Sequence, residues 1–324
     1  MRFHFLAIAA TAALSLAAFE RAAAADSAVK ISGPHIHENL AVYFVHGVSA
    51  GGPIPLTLAE AIDLGRVKVI ETGEVNELKI ENIGADAVFI QSGDIVKGGK
   101  QDRALTTSLV LPPHSGEVSL AAFCVEHGRW SSRGAEEVST FASAAEAVPS
   151  REAKLAMKAP LAATSSLVEP RQYSGDQVHA RQAEVWDSVA KLQSKLSGGI
   201  NADVASPVSA TSLQLALEND KLKELRSVYV KALQDAGQNG ADIIGYAFAV
   251  NGKLNSADVY SSNGLFRKMW PKQLQAAATE AIGERDDKVE RTPSAEAVKT
   301  FLEEAKQGAV KKTALSSRNQ LEMR

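Results

Sequence analysis

GDIVKGGKQDRALTTSLVLPPHSGEVSLAAFCVEHGRW, residues Gly93 to Trp130, is the stretch whose reading decides the fold. Two strand-like runs, Leu105 to Leu111 and Val118 to Val125, are divided by Pro112-Pro113-His114-Ser115-Gly116, a run of turn residues. Strands joined by a short turn run antiparallel. That pairing carries the outer ends, Lys100-Gln101-Asp102-Arg103 and Cys124-Val125-Glu126-His127-Gly128-Arg129-Trp130, to one end of a sheet. A plain core hairpin has no need of so many charged, amide and aromatic side chains there, so the convergence reads as a site.

Upstream, His37 to His46, Val67 to Glu71, Val75 to Asn82 and Ala87 to Gln91 are further strand-like runs punctuated by Gly, Pro, Asn and Asp, and one short helix, Thr57 to Leu64, ends at Gly65. Short strands at this spacing predict a β-rich, sandwich-like half over residues 29–130. Residues 131–173 are rich in Ala, Ser and Pro without sustained periodicity and read as a surface connector with short helical pieces. Residues 174–324 are mainly helical. Capping-box spacing at Ser174-Gly175-Asp176-Gln177 opens a helix with Val185, Trp186, Val189, Leu192 and Leu196 on one side, stopped by Gly198-Gly199. A second helix runs from about Ser212 to Ala236 with Leu222, Leu225, Tyr229 and Leu233 inside. Asn251-Gly252 between two strand-like runs is the preferred pair of a type I′ hairpin. A helix from about Asn263 to Ile282 follows, kinked or restarted at Pro271, and Thr292-Pro293 opens another. The closing NQLEMR has no turn or cap and reads as the beginning of a strand. The fold class is α+β, one domain over residues 26–324 in which the β-rich half packs with C-terminal helices and a β-hairpin.

Residues 1–25 read as a secretory signal peptide: Arg2, an apolar run from Phe5 to Phe19, and Ala23-Ala24-Ala25 before a cleavage point. The run is shorter than the roughly 20 residues of a membrane span. The mature chain is expected to be periplasmic or secreted, without a membrane span. The leader carries Arg2, Arg21 and Glu20, so its removal takes the net charge from −3 to −4. A mildly acidic chain without a basic block argues against nucleic acid as a partner. Cys124 is the single cysteine, which excludes an internal disulfide and reads first as a buried small hydrophobe.

At Lys100-Gln101-Asp102-Arg103, Leu109-Val110-Leu111-Pro112 and Cys124 to Trp130, the chain resembles a bacterial domain family named for its association with ADP-ribosylglycohydrolases and rhodanese-phosphatase superfamily proteins. Val185-Trp186, the Asn251-Gly252 hairpin and Leu265-Phe266-Arg267-Lys268-Met269-Trp270 extend the likeness, from about Leu56 to Ile282. The resemblance implies a single integrated domain in a family without an assigned reaction. The family's name hints at ADP-ribose or nucleotide metabolism.

Three familiar motifs fail on inspection. Gly47-Val48-Ser49-Ala50-Gly51 has nucleophile-elbow spacing, but Pro53 and Pro55 fall where a helix must begin, and it reads as a glycine-rich loop. Gly93 to Gln101 lacks P-loop spacing, with Gln101 where Ser or Thr is required. His35 with His37, and Cys124 with His127, complete no recognisable four-ligand metal set, and no cofactor is expected. What remains is the pair of motif ends. Lys100, Arg103 and Arg129 are suited to an anion, Gln101 to reading donors and acceptors, and Trp130 to stacking on a ring. The preferred function is therefore binding of a small anionic or nucleotide-like ligand. An enzymatic alternative uses Cys124 as nucleophile with His127, or Asp94 and Glu126 as acid and base. A third reading makes the motif an internal network, with Glu126 paired to Arg103 or Arg129, in a structural or protein-interaction module.

Overall fold

A computed structural model of the chain describes residues 29–131, 141–158, 175–286, 291–307, 311–316 and 319–323. The leader expected at residues 1–25 lies outside them. In chain order the elements are β1 (Lys30–His37), β2 (Leu40–His46), β3 (Leu56–Thr57), α1 (Leu58–Asp63), β4 (Val67–Glu71), β5 (Glu77–Asn82) and β6 (Val88–Ile90). Next come β7 (Asp94–Gly98), β8 (Arg103–Leu105), β9 (Leu109–Leu111), β10 (Gly116–Cys124), β11 (Phe141–Ala147) and α2 (Arg151–Lys158). The second half holds α3 (Gly175–Ile200), α4 (Leu213–Leu217), α5 (Asp220–Leu233), β12 (Ile243–Val250), β13 (Lys253–Val259), α6 (Asn263–Gly283), α7 (Ala295–Gln307), β14 (Lys311–Ser316) and β15 (Asn319–Met323). The architecture is α+β, and among the described residues no helix is long and apolar enough to cross a membrane.

One sheet has the antiparallel order β1-β2-β12-β13, so the N-terminal hairpin and the later hairpin are hydrogen-bonded to each other. Its central strands lack polar alternation because both faces are covered. Leu40, Val42, Phe44, Tyr246 and Phe248 pack with Phe266 and Trp270 of α6, while Ala41, Tyr43, Ala247 and Ala249 pack with Val298 of α7. Asn251 and Gly252, at φ 52° and 80°, make the tight turn their sequence predicts. Asn39 ties this sheet to the helices: its amide donates to Asn251 and to the Ala281 carbonyl and accepts from the Tyr229 hydroxyl.

A six-stranded sheet, β11-β7-β8-β10-β5-β4, faces a three-stranded one, β3-β6-β9. Leu78, Ile80, Leu120 and Ala122 of the first and Val88, Ile90, Leu109 and Leu111 of the second share a core with Leu58 and Ala61 of α1, giving the sandwich-like half. Thr57 and Glu60 close a capping box at the start of α1.

Several boundaries differ from the sequence reading. The run His37 to His46 is not one strand, because it turns at Glu38 and Asn39, Glu38 with φ 52°. Leu105 to Leu111 divides between two sheets, β8 pairing with β10 and β9 with β6. The helix expected over 212–236 is two, each with its own cap, Ser212 and Asn219. Gly198-Gly199 does not stop α3. A side chain at Gly199 would meet the Ile282 carbonyl at 2.2 Å, so that glycine permits close approach of α6, and Asn201 (φ 49°) follows the helix end. Pro271 lies inside a continuous α6. The expected connector contains β11 and α2, which place Ala144, Ala147, Ala153 and Met157 in buried positions. An alanine-rich segment has little intrinsic strand preference, and here pairing with the open side of β7 decides it. The rest of that connector lies outside the described residues.

Candidate functional site

The motif is organised by the turn after β7. Gly98 and Gly99 take φ 122° and 58°, and a Cβ at Gly99 would lie 2.2 Å from the Phe141 ring, so only glycine fits this bend. The bend presents two carbonyls to Arg129, whose Nη1 donates to Gly99 O (3.1 Å) and whose Nη2 donates to Gly98 O (3.4 Å). The pairing of Cys124 with Arg103 across β10 and β8 brings the two motif ends together, as the antiparallel argument required.

Glu126 is fully buried and is the hub. Its Oε2 accepts from Arg129 Nε at 2.7 Å and lies 2.7 Å from Nη2, and it also accepts from the Asp102 backbone N–H at 3.3 Å. Its Oε1 accepts from the Ser209 hydroxyl at 2.5 Å, and its backbone carbonyl accepts from the Gln101 amide at 2.9 Å. Asp102, also fully buried, accepts from Gly98 N–H (3.0 Å) and the Ser212 hydroxyl (2.9 Å), with Arg129 Nη2 at 3.6 Å. Ser212 in turn accepts from Leu215 N–H, so one hydroxyl caps α4 and fastens that helix to the motif. Arg129 also donates to the Ser131 carbonyl. Its guanidinium donors are thus directed at protein acceptors, and Arg129, Glu126, Asp102 and Gln101 act together as an internal clamp. The expected pairing of Glu126 with an arginine holds for Arg129.

The outer rim differs. Arg103 has no exposed surface, and its Nη1 donates to the Gln101 carbonyl at 3.0 Å. Its Nε and Nη2 make no hydrogen bond among the described residues. Glu71, at 3.8 Å from Nη2, is within ion-pair range but beyond a hydrogen bond. Glu71 itself accepts from the N–H groups of Gly73 and Lys100. Above this lies Trp130, 44 % exposed, with Lys100 Nζ 5.0 Å and Arg103 Cζ 5.5 Å from its ring centroid. Two cations on one indole are each attracted by its electron-rich face.

The other named residues take no part in this rim. Cys124 is fully buried, its Sγ 3.4 Å from the Val75 carbonyl, and burial pushes its thiol up to about 12 despite the opposing charge of Arg103. Gln182 of α3 bridges its backbone, accepting from Cys124 N–H and donating to Cys124 O, both at 2.9 Å. The His127 ring packs edge-on against Trp186 at 4.3 Å. A protonated buried thiol without that imidazole as base does not support the nucleophile reading. Asp94 starts β7, four residues from Gly98 and so about 13 Å along the strand from the clamp. It accepts from Lys272 at 2.7 Å and stands at the far end of β7 from the bend beside Glu126, so the structure does not bring the two carboxylates together as an acid–base pair. Ser49 of the elbow-like loop accepts from Asn263 N–H at the start of α6, a structural task. His35 and His37 lie against Phe44 and Tyr229, and no group of three His, Cys, Asp or Glu side chains among the described residues converges to hold a metal. Sequence reasoning missed Glu71, Gln182 and Ser209, and it named Ser212 only as a helix start.

Fold and site together define an α+β protein whose six-stranded sheet is closed at one end by a buried arginine–carboxylate clamp. Residues 28–324 match ARPP-1, the ARG and Rhodanese-Phosphatase-superfamily-associated Protein domain, and the chain belongs to that family. Comparison with curated proteins found no match, and comparison with solved structures found none.

Burial of Cys124 is directly measurable. Native protein at pH 8 should resist iodoacetamide and react once unfolded in guanidinium; labelling of the native state at the unfolded rate would contradict the placement. Because the folded thiol is raised from 9.0 to about 12, its contribution to stability is full below pH 9 and falls as pH rises toward 12.

Proposed function

We propose that the chain binds a small anion carrying a planar ring, of phosphate or carboxylate type, at the rim formed by Lys100, Arg103 and Trp130. The observation that carries this reading is the idle pair of donors on Arg103. Nε and Nη2 form the side-on fork of a guanidinium, the edge that takes two oxygens of a carboxylate or phosphate. A buried cationic donor without an acceptor costs free energy that a bound anion would recover. Lys100 adds a second charge, and Trp130 offers exposed ring surface beside both. Gln101 and Arg129 serve the frame in this reading, through the bonds they make to Glu126. The family's association with ADP-ribosylglycohydrolase and rhodanese-phosphatase proteins favours phosphate-bearing ligands within this class.

A second reading has its own observation. Glu71 stands 3.8 Å from Nη2, and a small movement would close that pair without any ligand. Titration with inorganic phosphate and with ADP-ribose, read by thermal shift and tryptophan fluorescence, separates the two. The ligand reading expects a saturable shift, about 2.7 kcal/mol at 100 times Kd, lost in Arg103→Met and weakened in Trp130→Ala, a change at an exposed position that spares the fold. No response to either probe, or a response unchanged in both variants, overturns it in favour of the Glu71 pair.

Export belongs to the same proposal, resting on the Arg2, Phe5–Phe19 and Ala23-Ala24-Ala25 pattern. N-terminal sequencing of the expressed protein should begin at Asp26 in a periplasmic or secreted fraction; an intact Met1 in the cytoplasm contradicts it.

A further inference from the structure

A second polar constellation lies on the four-stranded sheet, and none of its members belongs to the clamp or the rim. His46 ends β2, and its ring is held from both sides. Nδ1 lies 2.9 Å from Asp242 Oδ1, and Nε2 lies 2.7 Å from the Ser32 hydroxyl. An ionised carboxylate can only accept, so Nδ1 carries the proton that faces Asp242. Nε2 of the neutral ring is then an acceptor, and the Ser32 hydroxyl donates to it. That hydroxyl makes no other hydrogen bond among the described residues, so its proton is committed to the imidazole.

Three strands fix this geometry. Ser32 pairs with Phe44, two residues from His46 on the same face of β2. The ladder shifts register between Ser32 and His35, and Gly33 follows the serine at φ 103°. A Cβ at Gly33 would come within 2.8 Å of the Val42 carbonyl, so the bulge beside Ser32 requires glycine. Asp242 is brought up by β12: Ile243 pairs with His46, and the Gly47 N–H donates to the Asp242 carbonyl at 2.9 Å. Acid and imidazole are therefore tied through the backbone as well as through their side chains. The His46 side chain is 14 % exposed and that of Asp242 61 %, while Ser32 is partly buried, so the group is open to solutes. The hydrogen bond from His46 holds the Asp242 carboxyl below its usual range, and the charge of Lys30, opposite His46 in the ladder, acts in the same direction.

We propose that Ser32 is the nucleophile of a second site that hydrolyses small carboxylic esters, with His46 as general base and Asp242 positioning the imidazole. Nucleophile, base and orienting acid stand within hydrogen-bond reach in the order that acyl transfer through a serine requires. All three sit on or beside strands of one sheet, which holds their spacing. An ester asks least of so open a site, since its alkoxide leaves with only the proton carried by His46.

The step balances with water as the one co-reactant. Ser32 Oγ attacks the acyl carbon as its proton passes to His46 Nε2, and the carbonyl π pair moves to oxygen. When that pair returns, the C–O bond to the alcohol breaks and His46 gives the alkoxide its proton. Acyl-Ser32 remains. Water then attacks the acyl carbon, its proton going to Nε2, and collapse breaks the bond to Oγ, which takes that proton back. The balance is ester plus water to carboxylic acid plus alcohol. Asp242 stays ionised throughout, holding Nδ1–H and stabilising the imidazolium formed in each half.

The test applies p-nitrophenyl acetate and a fluorophosphonate to the full folded chain. The ester should give a stoichiometric burst of nitrophenol, and peptide mass mapping should find the phosphonyl group on Ser32. Ser32→Ala should abolish both, and His46→Gln should lower the acylation rate by about 100-fold or more. Asp242→Asn should lower kcat with KM unchanged, which loss of a merely structural tie would not do. Should a variant fail to fold, the position of the phosphonyl label in the wild-type chain still decides. Absence of label from Ser32, or ester hydrolysis unchanged in Ser32→Ala, overturns the proposal and leaves the three residues as a tie between β1, β2 and β12.

Discussion

The bond between Arg129 and the buried carboxylate of Glu126 is the constraint on which the motif depends. Glu126 and Asp102 have no exposed surface, and carboxylates so placed are tolerable only when paired and hydrogen-bonded. Arg129 supplies the opposing charge to both, and its remaining donors take the carbonyls of the Gly98-Gly99 bend. The same carboxylates hold Ser209 and Ser212, so the loop leading into α4 is fixed to the end of the six-stranded sheet by hydrogen bonds to buried charges. Loss of the guanidinium would take an ion-pair partner from two buried carboxylates at once.

This arrangement divides the motif's chemistry into two layers. The inner layer, Arg129, Glu126, Asp102 and Gln101, is satisfied within the protein. The outer one, Arg103, Lys100 and Trp130, holds the idle donors and the accessible ring. Counting Glu71, three cations stand against three carboxylates, so a ligand would be recognised by the directed donors of Arg103 rather than by an excess of positive charge.

Much of this was legible in the sequence where local rules govern. Asn251-Gly252 specified its turn, and the residues flanking Pro112–Gly116 the meeting of the two motif ends. Legibility ended where tertiary pairing takes over. β11 is alanine-rich and becomes a strand only by joining β7. Gly199 reads as a helix stop until Ile282 is seen beside it. Glu71 ends an ordinary strand, 29 residues before Lys100, while Ser209 and Ser212 lie 83 and 110 residues from their carboxylate partners. A serine or glutamate at such separation carries no local mark of its task. The buried thiol of Cys124 was readable as a small hydrophobe, but the Gln182 amide that brackets its backbone was not.

The most direct measurement is a double-mutant cycle in urea with Arg129→Met, Glu126→Gln and their combination. With the clamp as described, Arg129→Met alone should cost about 3–5 kcal/mol, and the double variant should cost clearly less than the sum of the two single losses. Additive losses, each below about 1 kcal/mol as for an exposed pair, would contradict the account.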